Sequence, residues 1–347
     1  MRYSEFCQSP SGTFLDLPYF LQKPGFLKRL PYLFVVSKRS GVPVSSLQPQ
    51  DIAGTVLLLE YRLGCIGTKA FATNDRSGSG TLLARTEDRS QVAALICGVL
   101  MGRGARVALL SFTGTEVDDA GIEPAFRDLG RRARGVQWAL RHRQLPAFLP
   151  LQQTLDETLA GLGQKTRSNM RYYRRRAEKE LGCTPVLQVV ATPEDMLAFN
   201  SVCMYPIARG TLLWRLRVLD AMHEPFLIGL KDREGQWLSV LAGRRFGDTS
   251  EILWQLNRAG HPAHSLGTVM RSYCMEQEIA RGAKRLQVEG GTFHSMHHSF
   301  MQEELVDLVV VRSGLYRPLR KFVSRYITAE NSLADMLKSD ALQWYEA

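Results

Sequence analysis

One order of elements runs through the chain twice, and that repetition constrains the fold more than any single motif. In the first half Tyr32–Val36, Ile52–Tyr61 and Thr68–Ala72 carry the β-branched and aromatic content of strands. Gln91–Met101 then reads as a largely buried helix and Val107–Phe112 as a strand suited to the middle of a sheet. In the second half Phe226–Leu230 and Trp237–Arg244 flank a turn at Asp232–Gly235 as a hairpin. Ser250–Leu256 follows as a strand, Thr268–Ala280 as a helix and Arg285–Glu289 as a strand. Arg103-Gly-Ala-Arg106 and Arg281-Gly-Ala-Lys284 each end a helix and lead into a short strand, and Ile52-Ala-Gly-Thr55 stands where Leu241-Ala-Gly-Arg244 stands. Four-residue identities also arise by chance, but a duplicated α/β unit accounts for all of these matches together. With 347 residues, two domains are the expectation. We place them at 1–150, including an Arg-rich connector over 113–150 with a short helix near 121–132, and at 151–347, ending in a helical tail.

Charge is distributed unevenly. The 44 Lys and Arg residues exceed the 34 Asp and Glu residues, and the net charge of +10 favours acidic partners such as nucleic acid, nucleotide cofactors, acidic carrier proteins or anionic lipid. The densest patch is Lys165-Thr-Arg-Ser-Asn-Met-Arg-Tyr-Tyr-Arg-Arg-Arg176. Leu155, Leu159 and Leu162 recur at helical spacing before it, Gly161 and Gly163 interrupt, and Thr166 opens a second helical run through Met170, Tyr173, Ala177 and Leu181. Arg167, Arg171, Arg174 and Arg175 fall on or near one face of that helix. A solvated charged face is the alternative reading. The six cysteines are scattered with no Cys-x-x-Cys pair, which suits buried, reduced thiols. No signal segment is evident, and the longest apolar run, Val92–Met101, is too short to span a bilayer. A cytoplasmic protein with no transmembrane segment is expected.

The string Leu155–Arg167, then Asn169 and Arg171, then the basic helix ending at Leu181-Gly182, resembles the opening of BioF2-like, CelD-type acetyltransferase domains of the GNAT superfamily, relatives of the FemAB aminoacyltransferases. The resemblance covers roughly residues 145 to 315. It implies a tandem GNAT-like fold, an α/β architecture with a mixed sheet, in which the arm of an acyl-coenzyme A lies between two splayed strands. It also implies an N-acyltransferase that moves an acyl group from acyl-CoA or an acyl carrier protein to a small-molecule amine. The matching acyl-donor loop is Asn257–Thr268, with Ser265, Gly267 and Thr268 as the small residues that let phosphate approach the backbone; a plain helix cap is the alternative. Glu289 and His294, just after a strand, stand where a general base is expected, although the lysine such domains tend to carry there is missing. Arg167, Asn169, Arg171 and Arg174 are the candidates for an anionic acceptor or an acidic acyl carrier protein.

Two rival functions stay open: FemAB-like transfer from aminoacyl-tRNA, with the basic middle of the chain as its RNA face, and a non-catalytic nucleic-acid or scaffold protein on the same fold. His261, His264, His294, His297 and His298 cluster in sequence, yet no acidic or cysteine partner is arranged to complete a ligand set, and no metal is expected.

Overall fold

The computed structural model describes residues 27–38, 41, 43, 46–63, 66–73, 82–84, 88–113, 135–222, 224–288, 295–312 and 345–346. By internal contacts the chain divides into Met1–Leu145 with Glu303–Ala347, and Pro146–Gln302.

The first unit contains β1 (Leu27–Ser37), β2 (Ile52–Leu63), β3 (Ile66–Ala72), β4 (Leu82–Ala84), α1 (Arg89–Gly102), β5 (Val107–Thr113) and the start of β6 (Val136–Pro150). The second contains α2 (Leu155–Ala160), α3 (Gln164–Leu181), β7 (Thr184–Val186), α4 (Pro193–Ser201), α5 (Arg209–Asp220), β8 (Pro225–Lys231), β9 (Trp237–Phe246), β10 (Thr249–Asn257), α6 (Leu266–Ala280) and β11 (Arg285–Val288). The chain then enters β12 (Met301–Arg312), most of which belongs to the first unit.

The repeat proposed from sequence is present in the pairing. β1, β2 and β3 are antiparallel neighbours, α1 crosses over, and β5 lies parallel to β3. β8, β9 and β10 are likewise antiparallel, α6 crosses over, and β11 lies parallel to β10. An antiparallel strand completes each set, β12 beside β5 and the end of β6 beside β11. The shared Arg-Gly-Ala closes both crossover helices in one way. Gly104 (φ 88°) and Gly282 (φ 87°) take the left-handed conformation. Ala105 N–H then reaches Leu100 O at 2.9 Å, and Ala283 N–H reaches Glu278 O at 3.0 Å, the six-to-one bond of a Schellman closure. The next residues continue the match: Arg106 N–H donates to Lys69 O at 2.8 Å and Lys284 N–H to Asp248 O at 2.7 Å. The four-residue identity is therefore the imprint of one turn used twice.

Each unit has its own core. In the first, Val92, Ile96 and Leu100 of α1 pack on Val56, Leu58, Leu110, Trp138 and Leu308. In the second, Met170 and Ala177 of α3 and Val269, Met270 and Tyr273 of α6 pack on Ile228, Leu230, Leu238, Leu241 and Ile252. α2 begins with a capping box: Thr154 Oγ1 accepts from Glu157 N–H, and Glu157 returns a carboxylate to the Thr154 N–H.

Four segments depart from the sequence reading. Val136–Pro150 is a long strand rather than connector: Val136, Trp138 and Ala139 bury in the core, and Arg141, one of the arginines that suggested a loop, pairs with the buried Asp307 at 2.8 Å. Leu305–Val311, not recognised as a strand, pairs with Val107–Thr113 and returns the chain to the first unit, a return that a boundary of 1–150 and 151–347 leaves out. α5 occupies Arg209–Asp220, a helix for which the sequence reading held no expectation. α6 starts two residues earlier than expected, at Leu266. The connector over 114–134, Glu289–His294 and the tail over 313–344 lie outside the described residues.

Candidate acyl-transfer site

The site is built from the end of β10 and the start of α6, which chain continuity places together. Among the described residues β10 and β11 pair in parallel, Thr249–Ile252 against Arg285–Val288. There the β9–β10 register shifts, between Ile252 and Trp254, so β10 bulges at Leu253 and continues along β9 to Asn257. Past the bulge Gln255 and Asn257 turn toward α6. A Cβ placed on Gly267 would lie 3.5 Å from Asn257 Nδ2 and 3.7 Å from Gln255 Nε2. A small polar network holds these amides: Ser239 Oγ donates to Asn257 Oδ1 at 2.8 Å, and Gln255 Nε2 donates to Asn257 Oδ1 at 2.9 Å. Gln255 Oε1 is buried without a partner. Neither Ser239 nor Gln255 was singled out in the sequence, and Asn257 only as the first residue of the expected loop, since strand polarity carries no sign of a bulge.

α6 begins unusually. Ser265 has φ 46°, a left-handed conformation disfavoured for a residue with a side chain. Its hydroxyl is taken by Thr268 Oγ1 at 2.9 Å, so neither hydroxyl caps the helix. Thr268 and Val269 N–H both turn back to Ser265 O, at 2.8 and 3.2 Å. Among the described residues the N–H groups of Leu266 and Gly267 have no protein acceptor, and they present the positive end of the helix. Ser265, Gly267 and Thr268 thus lie together, and the plain-cap alternative is not what the two hydroxyls do.

The basic helix packs on α6 in antiparallel order. Glu180 meets His264 Nε2 at 2.9 Å, Tyr273 Oη donates to Glu178 at 2.7 Å, and Arg174 Nη2 donates to Glu276 at 2.7 Å. Falling numbers on α3 meet rising numbers on α6, so Arg167, Asn169 and Arg171 lie toward the far end of α6 from Gly267. Of the four candidates on this helix, Arg174 is committed to Glu178 and Glu276 and stacks 4.1 Å from the Tyr273 ring centroid. Arg171 pairs with Asp156 at 2.6 Å. Arg167 reaches only the Ala160 carbonyl at 3.5 Å, and Asn169 is exposed. Lys165, Arg175 and Lys179 are exposed cations with no acidic partner among the described residues.

His261 and His264 flank a short 3-10 turn, Pro262–His264, with ring centroids 5.9 Å apart. Partial burial, with the charges of His264 and Arg258, holds His261 below the usual histidine range. Unfolding therefore restores proton affinity, and stability contributed by this turn falls as pH drops from 6.5 through the lower folded value. We expect His261→Gln to flatten the thermal-stability profile between pH 7 and 5.5; an unchanged slope excludes His261 as its source. Among the described residues no three His, Cys, Asp or Glu side chains gather as a metal site. Cys97, Cys183, Cys203 and Cys274 are free and buried, while Cys7 and Cys65 lie outside the described residues. No described helix is long and apolar enough to cross a membrane.

No protein-family model and no curated protein matches the sequence. Solved structures do. FemX matches with a TM-score of 0.51 at 11% identity over 80% of this chain and 88% of its own. L-PGS from Bacillus licheniformis matches with a TM-score of 0.51 at 12% identity over 87% and 89%. A tandem GNAT protein from the clavulanic acid biosynthesis pathway matches with a TM-score of 0.41 at 11% identity over 82% and 84%. At these identities the likeness speaks to fold alone. Taken with two units that share one strand order, one crossover and one helix closure, the chain has a tandem GNAT-like fold.

Proposed function

We propose that the chain is an N-acyltransferase of BioF2-like, GNAT type that moves an acyl group from a thioester, acyl-CoA or acyl carrier protein, to a small-molecule amine. The observation that carries this reading is the coincidence of a bulged strand, β10, whose Gln255 and Asn257 amides face the start of α6, and two N–H groups at that start with no acceptor among the described residues. An anion of the acyl donor would rest on the Leu266 and Gly267 N–H groups, with Ser265 and Thr268 beside it. The amine nitrogen bonds to the acyl carbonyl carbon as the carbon–sulfur bond breaks, the thiolate leaves, and the amine's proton passes to a base, for which Glu289 and His294 are proposed. The unpaired cations of α3 would receive an acidic carrier protein, and Arg167 is the member of the original group best placed to join them. The division into two GNAT-like domains and a cytoplasmic location belong to the same proposal.

A second reading, aminoacyl transfer from tRNA, is favoured by one observation: Tyr172, half exposed, lies among Lys165, Arg175 and Lys179 on the outer face of α3. Aromatic and cationic groups together suit RNA. Thermal-shift titration of the purified chain with coenzyme A, acetyl-CoA, long-chain acyl-CoA and a short RNA duplex separates the two. A ligand at about 100 times its Kd adds about 2.7 kcal/mol to the folded state. A rise with the thioesters supports the first reading. No thioester effect beside a salt-sensitive RNA effect replaces it with the second.

A further inference from the structure

The link between α4 and α5 holds an apolar patch in water on a fixed backbone. Val202-Cys-Met-Tyr-Pro-Ile207 contains no charged residue, in a protein whose net charge is +10. Its backbone is tied at both ends. Asn200, itself buried, donates from Nδ2 to Ile207 O at 2.8 Å and accepts from Ile207 N–H at 3.0 Å. Met204 N–H donates to Asn257 O at 2.8 Å, and Ala259 N–H to Val202 O at 2.9 Å. The last two bonds flank an antiparallel bridge between Cys203 and Arg258. Cys203 is buried, whereas Val202, Met204 (55% exposed) and Tyr205 (76% exposed) are not. A loose loop could fold such side chains back against the protein, but one tied at both ends keeps them outside as a contiguous patch.

The bridge also says which way Met204 faces. Arg258 N–H donates to Leu238 O at 2.8 Å and so faces β9. Its neighbours Asn257 and Ala259 present their backbone groups on the other side of β10, where the link meets them. With Cys203 opposite Arg258, the register sets Met204 opposite Asn257, and side chains opposite one another in an antiparallel pair share a face of the sheet. That is the face on which the Asn257 amide stands beside Gly267. Met204 therefore borders the candidate acyl-transfer site, next to an amide that Ser239 and Gln255 hold in place.

The chemistry of the patch selects its occupant. Nucleic acid and acidic proteins need cations, and the stretch has none. A stable protein interface buries about 800 Å² on each partner, far beyond what three side chains supply. A thioether on rotatable bonds beside an aromatic ring suits a flexible hydrocarbon, whose shape it can follow.

We propose that Met204 and Tyr205 form the hydrocarbon-reading side of the transfer site, and that the substrate they read carries an aliphatic tail. This rests on the acyl-transfer reading of that site and adds its substrate class. A fatty acyl group on the donor and an alkyl group on the amine present the same hydrocarbon, and the test treats them separately.

Wild type, Met204→Gln, Tyr205→Ser and Ile66→Gln are titrated calorimetrically with coenzyme A, acetyl-CoA, octanoyl-CoA, butylamine and octylamine, beside melting curves and light scattering. Ile66, exposed in the first unit, is the control for general surface hydrophobicity. A fully buried methylene is worth about four-fold in affinity; with half of the tail left in water, the octyl ligand is expected to bind at least about ten-fold tighter than its short counterpart. The Met204 and Tyr205 variants are expected to melt as wild type does and to lose most of that gain, while the Ile66 variant keeps it. A gain confined to the acyl series places the tail on the donor, and one confined to the amines places it on the acceptor; both uphold the proposal. Octylamine binding that depends on Met204, without any binding of coenzyme A, upholds the hydrocarbon site and removes coenzyme A as the donor. Coenzyme A binding with no gain from either tail, or a gain equal in all variants, overturns the role of Met204 and Tyr205 and leaves the donor site standing. No gain from either tail, beside wild-type dimers that Met204→Gln turns into monomers, overturns it in favour of an interface between copies of this protein.

Discussion

Glu278→Ala is expected to cost the second unit about 3–5 kcal/mol, the range for removing one partner of a buried ion pair. Glu278 is fully buried on α6 and accepts from Arg245 Nε at 2.8 Å, Arg245 Nη2 at 2.7 Å and Ser250 Oγ at 2.6 Å. The three bonds tie the crossover helix to both β9 and β10. Truncation leaves Arg245, itself largely buried over the Phe226 ring, with no acid among those contacts. Amide hydrogen exchange of α6, β9 and β10 reads the loss locally, without assuming that both units unfold together. The double variant Arg245→Met/Glu278→Leu removes both charges and should recover most of the loss. Equal losses in the single and double variants would show that packing volume, not the stranded cation, sets the cost.

Glu278 shows what the sequence could and could not disclose. Strand content, the crossover helices and the Arg-Gly-Ala closures are local, so periodicity and turn chemistry exposed them, and the duplicated fold with them. Ser265, Gly267 and Thr268 came instead from the family resemblance, and their role in binding is a proposal. Whether a charged residue has a partner is a long-range property. Arg245 meets Glu278 across 33 residues, and nothing local to either marks the pair. The basic helix misled in the opposite direction. Its density of arginine suggested one binding face, but Arg171 and Arg174 are spent on Asp156, Glu178 and Glu276, and the helix runs antiparallel to α6. The strand over Val136–Pro150 was missed because arginine and proline outweighed a short apolar alternation whose partners lie far along the chain.

Gly267 should separate binding from stability more sharply than any other position. Its backbone is ordinary helix, since it is absent from the residues with positive φ, and a Cβ there would meet nothing nearer than 3.5 Å. Gly267→Ala is therefore expected to leave unfolding unchanged or to raise stability by up to about 1 kcal/mol, through the greater helix propensity of alanine. Gly267→Phe must push the Asn257 and Gln255 amides aside and covers the start of α6. Blocking an anion from two charge-assisted N–H bonds at about 1.5 kcal/mol each removes about 3 kcal/mol, a loss of roughly a hundred-fold in coenzyme A affinity. Calorimetric titration with coenzyme A, beside a melting curve for each variant, measures both effects. A Phe variant that folds and still binds at wild-type affinity would move the acyl donor away from α6. A destabilised Ala variant would instead show that Asn257 and Gln255 need the space over Gly267, and that it is not kept for a ligand.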